Sequence, residues 1–412
     1  MTLPRMLSEQ GYRTGIVGKW HLGLGDGEID WNRPIHPGPQ DVGFDESYII
    51  AATQDRVPTV YIRGREVVGL DADDPIEVSY ETPFPDEPVG RERPDLLRMP
   101  WSHGHNDAII NGIGRIGYMR GGHAARWSDE DMADHLVERA RDFIRDAADS
   151  TGESEPFFLY FALHQPHVPR TPGRRFVGAT DMGPRGDVIA EADWCVGQII
   201  EELERAGVWE DTLIVFSSDN GPVLDDGYQD EAVELVGDHR PAGPLRGGKY
   251  SLFDAGTRVP FLVHWPARVQ PGTSNALVCQ IDLLASIAVL VGADVPPADS
   301  EDQLAALLGE SKHGRESVVL EAIHRTVFRR GDWVMIPPYE GEVRMSTTGI
   351  ETGNDPAYQL YNIREDPHQD DNLAVSRAGL LRSLVDEFEQ LVTDAQGNGK
   401  VLEPRGYRRL ET

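Results

Sequence analysis

Arginine carries nearly all the positive charge of this chain: among 39 lysines and arginines only Lys19, Lys249, Lys312 and Lys400 are lysines. Two of these four stand in short glycine-rich segments, Gly18-Lys19-Trp20-His21-Leu22-Gly23 and Gly247-Gly248-Lys249-Tyr250. A compact ammonium in place of a planar guanidinium suits a tetrahedral oxyanion approached closely. Lys19 and His21, one residue apart, can point an ammonium and an imidazole at the same anion. The chemistry indicated is the binding of a tetrahedral oxyanion.

Three further segments carry groups suited to such a site. In His164-Gln165-Pro166-His167-Val168-Pro169 the prolines hold an extended turn that presents an imidazole, although each histidine alone reads equally as a structural one. Ser217-Ser218-Asp219-Asn220-Gly221-Pro222 sets a carboxylate beside an amide oxygen, which suits a hard cation and is also an ordinary turn sequence. Pro244-Leu245-Arg246-Gly247-Gly248-Lys249-Tyr250, followed by Asp254-Ala255-Gly256-Thr257-Arg258-Val259-Pro260, lets backbone and ammonium approach an anion. It lacks the Gly-x-x-x-x-Gly-Lys-Ser/Thr spacing of a phosphate-binding loop.

These segments need elements to position them. Leu3, Met6 and Leu7 recur at helical spacing up to Gly11 and lead into a strand over Thr14 to Val17. From Asp26 to about Arg126 a Gly-, Pro- and Asp-rich stretch, with short strand-like runs such as Val57 to Ile62, reads as long excursions around a site. Ser128 with Asp131 reads as a capping box for a helix burying Met132, Leu136, Ala140, Phe143 and Ile144. A fully apolar strand follows over Phe157 to Leu163, then a helix from roughly Asp187 to Ala206, then buried strands over Thr212 to Phe216 and Val259 to His264, and a helix around Ile281 to Leu290. Helices alternating with continuous apolar strands predict an α/β fold with a mixed, mostly parallel sheet covered on both faces. In such sheets ligands gather beyond the carboxyl ends of the strands, where the motifs lie. Polar residues over Pro296 to Gly314 suggest a boundary between a catalytic domain, 1–310, and a C-terminal α+β subdomain, 311–412. The latter has strands at Val318 to Ala322, Thr326 to Arg330, Trp333 to Ile336 and Gln359 to Ile363, and a helix near Arg377 to Thr393.

With 412 residues the chain is long enough for a large core. A formal charge of -30 and a pI near 4.7 exclude nucleic acid and anionic membrane surfaces as natural partners and disfavour a densely sulfated polymer. Cys195 and Cys279 are too few for a disulfide scaffold and read as small buried hydrophobes. No apolar run approaches membrane-spanning length, and nothing at the start of the chain argues for export.

Taken together, the Gly11-Tyr12-Arg13-Thr14 and Gly18-Lys19-Trp20-His21 signature, Pro166-His167-Val168-Pro169, Asp219-Asn220-Gly221, Gly247-Gly248-Lys249, and Leu360-Tyr361-Asn362-Ile363 with Asp366-Pro367 to Asn372-Leu373-Ala374 resemble the sulfatase family over about residues 1 to 375. The resemblance implies an alkaline-phosphatase-like α/β fold with a small C-terminal antiparallel sheet, and hydrolysis of a sulfate ester, arylsulfatase-like, on a small molecule or carbohydrate. It implies that Lys19 and Lys249 hold sulfate oxygens, that His21 contacts the formylglycine hydrate, and that His167 binds sulfate near the departing alcohol. It further implies that Asp219 and Asn220 are calcium ligands. Asp55, Arg56, His103 and His105 fall in the decorating region as substrate-binding candidates. The sequence places no further ligand that would make His103 and His105 a metal site. The family's paired aspartates and its Cys-x-Pro/Ala-x-Arg segment, source of the formylglycine nucleophile, have no counterpart among these residues, so the chain reads as N-terminally truncated, without a nucleophile and inactive by itself. The alternatives are a non-catalytic anion-binding relative and a phosphonate or phosphate ester hydrolase on the same fold.

Overall fold

The computed structural model describes residues 1–149, 155–295 and 299–397, so part of the Pro296 to Gly314 boundary region lies outside the described residues. The chain forms two compact units. The first comprises Met1–Thr212, Asp225–Gly237 and Ala288–Pro297; the second comprises Leu213–Leu224, Asp238–Ile287 and Ala298–Thr412.

The first unit begins with α1 (Leu3–Glu9), which buries Met6 and Leu7 and feeds β1 (Arg13–Lys19). The chain continues through β2 (Glu46–Ile50), β3 (Tyr61–Arg63) and β4 (Glu66–Val67), then β5 (Glu77–Ser79), β6 (Ile109–Ile110), β7 (Ile113–Gly114) and β8 (Tyr118–Arg120). It ends in α2 (Met132–Ala148), β9 (Phe157–Ala162) and α3 (Gly183–Arg205). The sheet order is β4-β3-β2-β1-β9, with β1 parallel to both β2 and β9 and the β2-β3-β4 side antiparallel. The sheet is thus mixed, with a parallel centre.

β1 is the strand that matters for the chemistry. Its interior, Thr14 to Gly18, is buried, as expected of a strand flanked on both sides. A Cβ on Gly15 would lie 2.4 Å from the Phe143 ring, and one on Gly18, where φ is 113°, would lie 1.9 Å from the Ala162 carbonyl oxygen. Both glycines are needed for close packing, and Lys19 emerges just beyond them. One face of the sheet packs on α2 through Met132, Leu136 and Ala140 with Val17, Tyr48, Ile50 and Tyr61. The other face is covered by the long excursion, which contributes Trp31, Ile35, Phe44, Val57, Ile76, Ile110 and Met119.

Two helix starts differ from expectation. α2 begins with Asp131 at its N-cap, and no side chain caps it; Ser128 takes no part. The neighbouring Asp129 instead turns inward to a buried pair with Arg115. α3 begins at Gly183, a turn earlier than Asp187, because the Asp187 carboxylate accepts from the backbone of Gly178 and Thr180 and ties the preceding loop to the helix.

In the second unit β10 (Ile214–Ser217) pairs antiparallel with β11 (Phe261–His264). Both are partly open to solvent rather than buried, with Phe216 41% and Leu262 57% exposed. α4 (Asp282–Val291), which belongs to this unit only as far as Ile287, and α5 (Leu304–Leu307) precede an antiparallel sheet in the order β12 (Ser317–Ala322), β13 (Arg325–Arg330), β14 (Trp333–Ile336) and β15 (Gln359–Asn362). α6 (Ala378–Gly397) covers this sheet through Leu384, Val385 and Phe388 against Phe328, Met335 and Leu360. Among the described residues no helix is long and apolar enough to cross a membrane.

Candidate active site

Lys19 ends β1, and His21 follows with a left-handed backbone, φ 53°, which is rare outside glycine and clusters at functional sites. Trp20 fixes this turn: its ring is buried, its Nε1 donates to the Gly23 carbonyl at 2.7 Å, and its N–H donates to Ile50. The His21 N–H donates to the Ala51 carbonyl, so the segment leaving β2 starts beside the imidazole. His21 is open to solvent on one side. Surrounding protein nonetheless desolvates the ring and, with Lys19, Arg56 and His167, lowers its pKa; Asp55 opposes them.

The same segment carries Asp55 and Arg56 and is tied to the loop of His167. Gln54 Nε2 donates to the Thr171 hydroxyl at 3.1 Å and to Asp129 Oδ1 at 3.0 Å, while Arg115 Nη1 donates to the Gln54 carbonyl at 2.7 Å. His167 is partly exposed between two cis peptide bonds, Gln165-Pro166 and Val168-Pro169. Its Nδ1 donates to the Val168 carbonyl at 2.8 Å. His164 is buried instead, and burial pushes its pKa down to about 4. It is a neutral core histidine, whereas His167 acts electrostatically on His21 and Asp55.

His103 and His105 lie in the same unit. His105 Nε2 is 2.8 Å from Asp55 Oδ2 and its Nδ1 is 2.8 Å from the His103 carbonyl oxygen. His103, partly exposed, contacts the Ser102 hydroxyl, which donates to Asp225 Oδ1 at 2.6 Å. The first unit thus brings together Lys19, His21, Asp55, Arg56, His103, His105 and His167. Asp55 and His105 are buried, while Arg56 and His103 reach the surface.

In the second unit Asp219 and Asn220 follow β10. The Gly221 N–H donates to the Gly256 carbonyl, and a Cβ at Gly221 would lie 1.7 Å from the Ala255 carbonyl oxygen. The Lys249 N–H donates to the Pro222 carbonyl, which sets Lys249 beside the Asp219–Pro222 turn. Arg246 anchors that loop by pairing with Glu351 at 2.8 Å and lying 4.0 Å above the Phe253 ring. Among the described residues no group of three or more His, Cys, Asp and Glu is arranged to hold a metal ion. Asp219 and Asn220 alone do not fit the six to eight oxygens calcium takes. Neither cysteine fits a nucleophile: Cys195 is buried, and burial pushes its thiol up to about 12, while Cys279 lies just before α4.

Sequence reasoning missed Arg115, Asp129, Gln54, Gly227 and Tyr228, which hold the site from behind. The only signal for Asp129 was a polar cluster that read as a helix cap, and Asp226-Gly227 reads as an ordinary turn.

The sequence profile of the sulfatase family matches residues 1–293. An N-acetylgalactosamine-6-O-sulfatase of Bacteroides thetaiotaomicron is 45% identical over 95% of this chain and 77% of its own length. Bovine (Bos taurus) arylsulfatase A is 29% identical over 90% of this chain and 66% of its own. A solved 6S-sulfatase structure, from a study of glycosaminoglycan metabolism by Bacteroides thetaiotaomicron, superposes with a TM-score of 0.92 at 44% identity, covering 94% of this chain and 81% of that one. The fold is accordingly the alkaline-phosphatase-like α/β architecture, and the chain belongs to the sulfatase family.

Proposed function

We propose that the protein hydrolyses the sulfate ester of a 6-O-sulfated N-acetylhexosamine, N-acetylgalactosamine 6-sulfate being the leading candidate. Lys19 and His21 seat the sulfuryl oxygens, and His167 faces the departing sugar alcohol. The observation that carries this reading is the convergence of Lys19, Arg56 and His167 on His21, in a chain 45% identical to an N-acetylgalactosamine-6-O-sulfatase. As the S–O bond breaks, charge spreads over the sulfuryl oxygens and builds on the leaving oxygen. Fixed cations at the first and a proton donor at the second lower the barrier. His167 Nε2 is the atom that would supply that proton. Arg56 and His103, the two surface-reaching members, are the sugar-facing residues of this reading. Lys249 is assigned to anion binding, and Asp219 and Asn220 to a partial cation site.

The described residues do not by themselves make up a formylglycine or a calcium site. Incubation of the protein with N-acetylgalactosamine 6-sulfate and its 6-phosphate analogue, with inorganic anion followed by ion chromatography, tests the proposal. Sulfate release exceeding phosphate release supports hydrolysis. No sulfate release, or phosphate release equal to it, overturns the proposal.

A further inference from the structure

The start of α3 carries a charge that its surroundings do not balance. Arg185 lies in the first turn of this 23-residue helix and is only 6% exposed. The buried Nε and Nη1 of its guanidinium make no hydrogen bond among the described residues, and Nη2 is the nitrogen left open. The carboxylates around it are engaged elsewhere. The 230–235 turn lies against this end of α3, since a Cβ on Gly183, where φ is 61°, would be 2.7 Å from Leu235 Cδ1. In that turn Asp230 pairs with Arg170 at 2.8 Å, both side chains 2% exposed, and its other oxygen accepts from the Ala232 N–H. Asp187 accepts from the backbone of Gly178 and Thr180, and Glu191 from Gln165 and Gly173. Asp181, ahead of the helix, is exposed and makes no ion pair with Arg185.

Such an arrangement is unfavourable for the protein alone. A buried guanidinium without a partner has lost its hydration and gained nothing in return. A cation in the first turn also stands at the positive end of the helix dipole, where an anion is favoured instead. Burial, and then the like charge of Arg170, push the Arg185 pKa down to about 10, although Asp230 opposes them.

The same turn has donors to spare. No side chain caps α3, the N–H groups of a first helical turn have no partner within the helix, and only Pro184 among them lacks the group. Guanidinium donors beside first-turn N–H groups are the combination that holds sulfate, phosphate and carboxylate groups. We propose that the first turn of α3, together with the Arg185 guanidinium, is a second oxyanion site, in addition to the one assigned to Lys19 and His21. Its ligand class is a compact oxyanion of the sulfate type, either the free ion or a sulfate carried on a saccharide. The proposal does not depend on the hydrolase reading.

The test uses the full chain in a Lys19→Ala background, so that anion binding at Lys19 does not contribute, with and without Arg185→Met. Sodium sulfate is titrated in at constant ionic strength and the melting temperature followed. At sulfate about tenfold above its Kd, Lys19→Ala is expected to gain about 2 °C, and the double variant to gain none beyond the general effect of an excluded salt. Equal gains in the two proteins overturn the proposal. Should the double variant not fold, crystals of the full chain soaked in selenate decide. An anomalous selenium peak within hydrogen-bond reach of Arg185 supports the site, and no peak there overturns it. N-acetylgalactosamine 4,6-disulfate, titrated in parallel, separates the two sources of the anion. Binding of the sugar weakened by Arg185→Met assigns a sulfate on the saccharide, and binding of the sugar unaltered by it assigns the free ion.

Discussion

Arg115 Nη2 donates to both carboxylate oxygens of Asp129, at 2.9 and 2.8 Å, with neither side chain exposed to water. The other guanidinium nitrogen reaches the Gln54 carbonyl. One buried ion pair therefore fixes the segment that runs from Ala51, beside His21, to Asp55 and Arg56. Removing one partner leaves an uncompensated buried charge, so Arg115→Met is expected to cost about 3–5 kcal/mol of stability. Arg98, 43% exposed at its side chain and 3.8 Å from Asp129, is the control: its replacement by alanine is expected to cost no more than about 1 kcal/mol. Chemical denaturation of both variants checks the contrast, and equal losses would remove the special role of Arg115.

Gly18 and Gly227 are expected to tolerate no side chain. A Cβ at Gly18 meets the β9 backbone, and one at Gly227 meets His105. Both positions have left-handed φ, where a non-glycine residue costs roughly 1–3 kcal/mol before any clash. Gly18→Ala should lower the melting temperature by opening the β1–β9 pairing. Gly227→Ala should displace the His105 ring and shift its NMR signal more than it lowers the melting temperature. Gly11, also left-handed but with nothing within 4 Å of a Cβ, is the tolerant comparison.

Stability is expected to fall on acidification below neutral pH because of His164. Its folded pKa of about 4 lies below an unfolded value near 6.5, so the unfolded chain binds the proton more readily across that window. Stability is full above the unfolded value and declines as the pH drops toward the folded one, by about 3 kcal/mol from this group. Asp129, whose pKa burial raises but Arg115 and its hydrogen bonds lower further, adds a second decline below its unfolded value of about 4. Melting curves from pH 7 to pH 4 should be flatter for His164→Gln than for the wild type, and parallel curves would count against a neutral buried His164.

The two thiols should differ in reactivity. Cys195 is fully buried and its thiolate is suppressed by burial, whereas Cys279 is partly open. A maleimide should modify Cys279 under native conditions and Cys195 only on unfolding. Rapid native labelling at Cys195 would show that the α2–α3 packing is looser than described.

How much of this was legible in the sequence depended on the range of the interactions. β1, β9, α3 and the four-stranded C-terminal sheet follow from local apolar patterns, and their positions agree with those patterns to within a few residues. Lys19, His21 and His167 stood out because rare residue types sat in glycine- and proline-bounded segments. The supporting layer did not stand out. Arg115 and Asp129 are fourteen residues apart with no periodic relation, and Gln54 reaches Thr171 across 117 residues. Burial of charged residues by such pairs reverses the usual inference that they lie at the surface. The partial exposure of β10 and β11 also escaped, because an apolar run reports the need for a neighbour and not its presence.

The proposed function requires the Lys19–His21 end of β1 to seat the sulfate of a 6-sulfated amino sugar. Calorimetric titration of N-acetylgalactosamine 6-sulfate into the wild type, Lys19→Ala, His21→Ala and, as a remote control, Lys312→Ala tests this seat. Saturable binding by the wild type and Lys312→Ala, weakened at least about tenfold, or about 1.4 kcal/mol, in Lys19→Ala and His21→Ala, is the predicted result. Equal affinity in all four proteins would place the anion elsewhere and overturn this assignment.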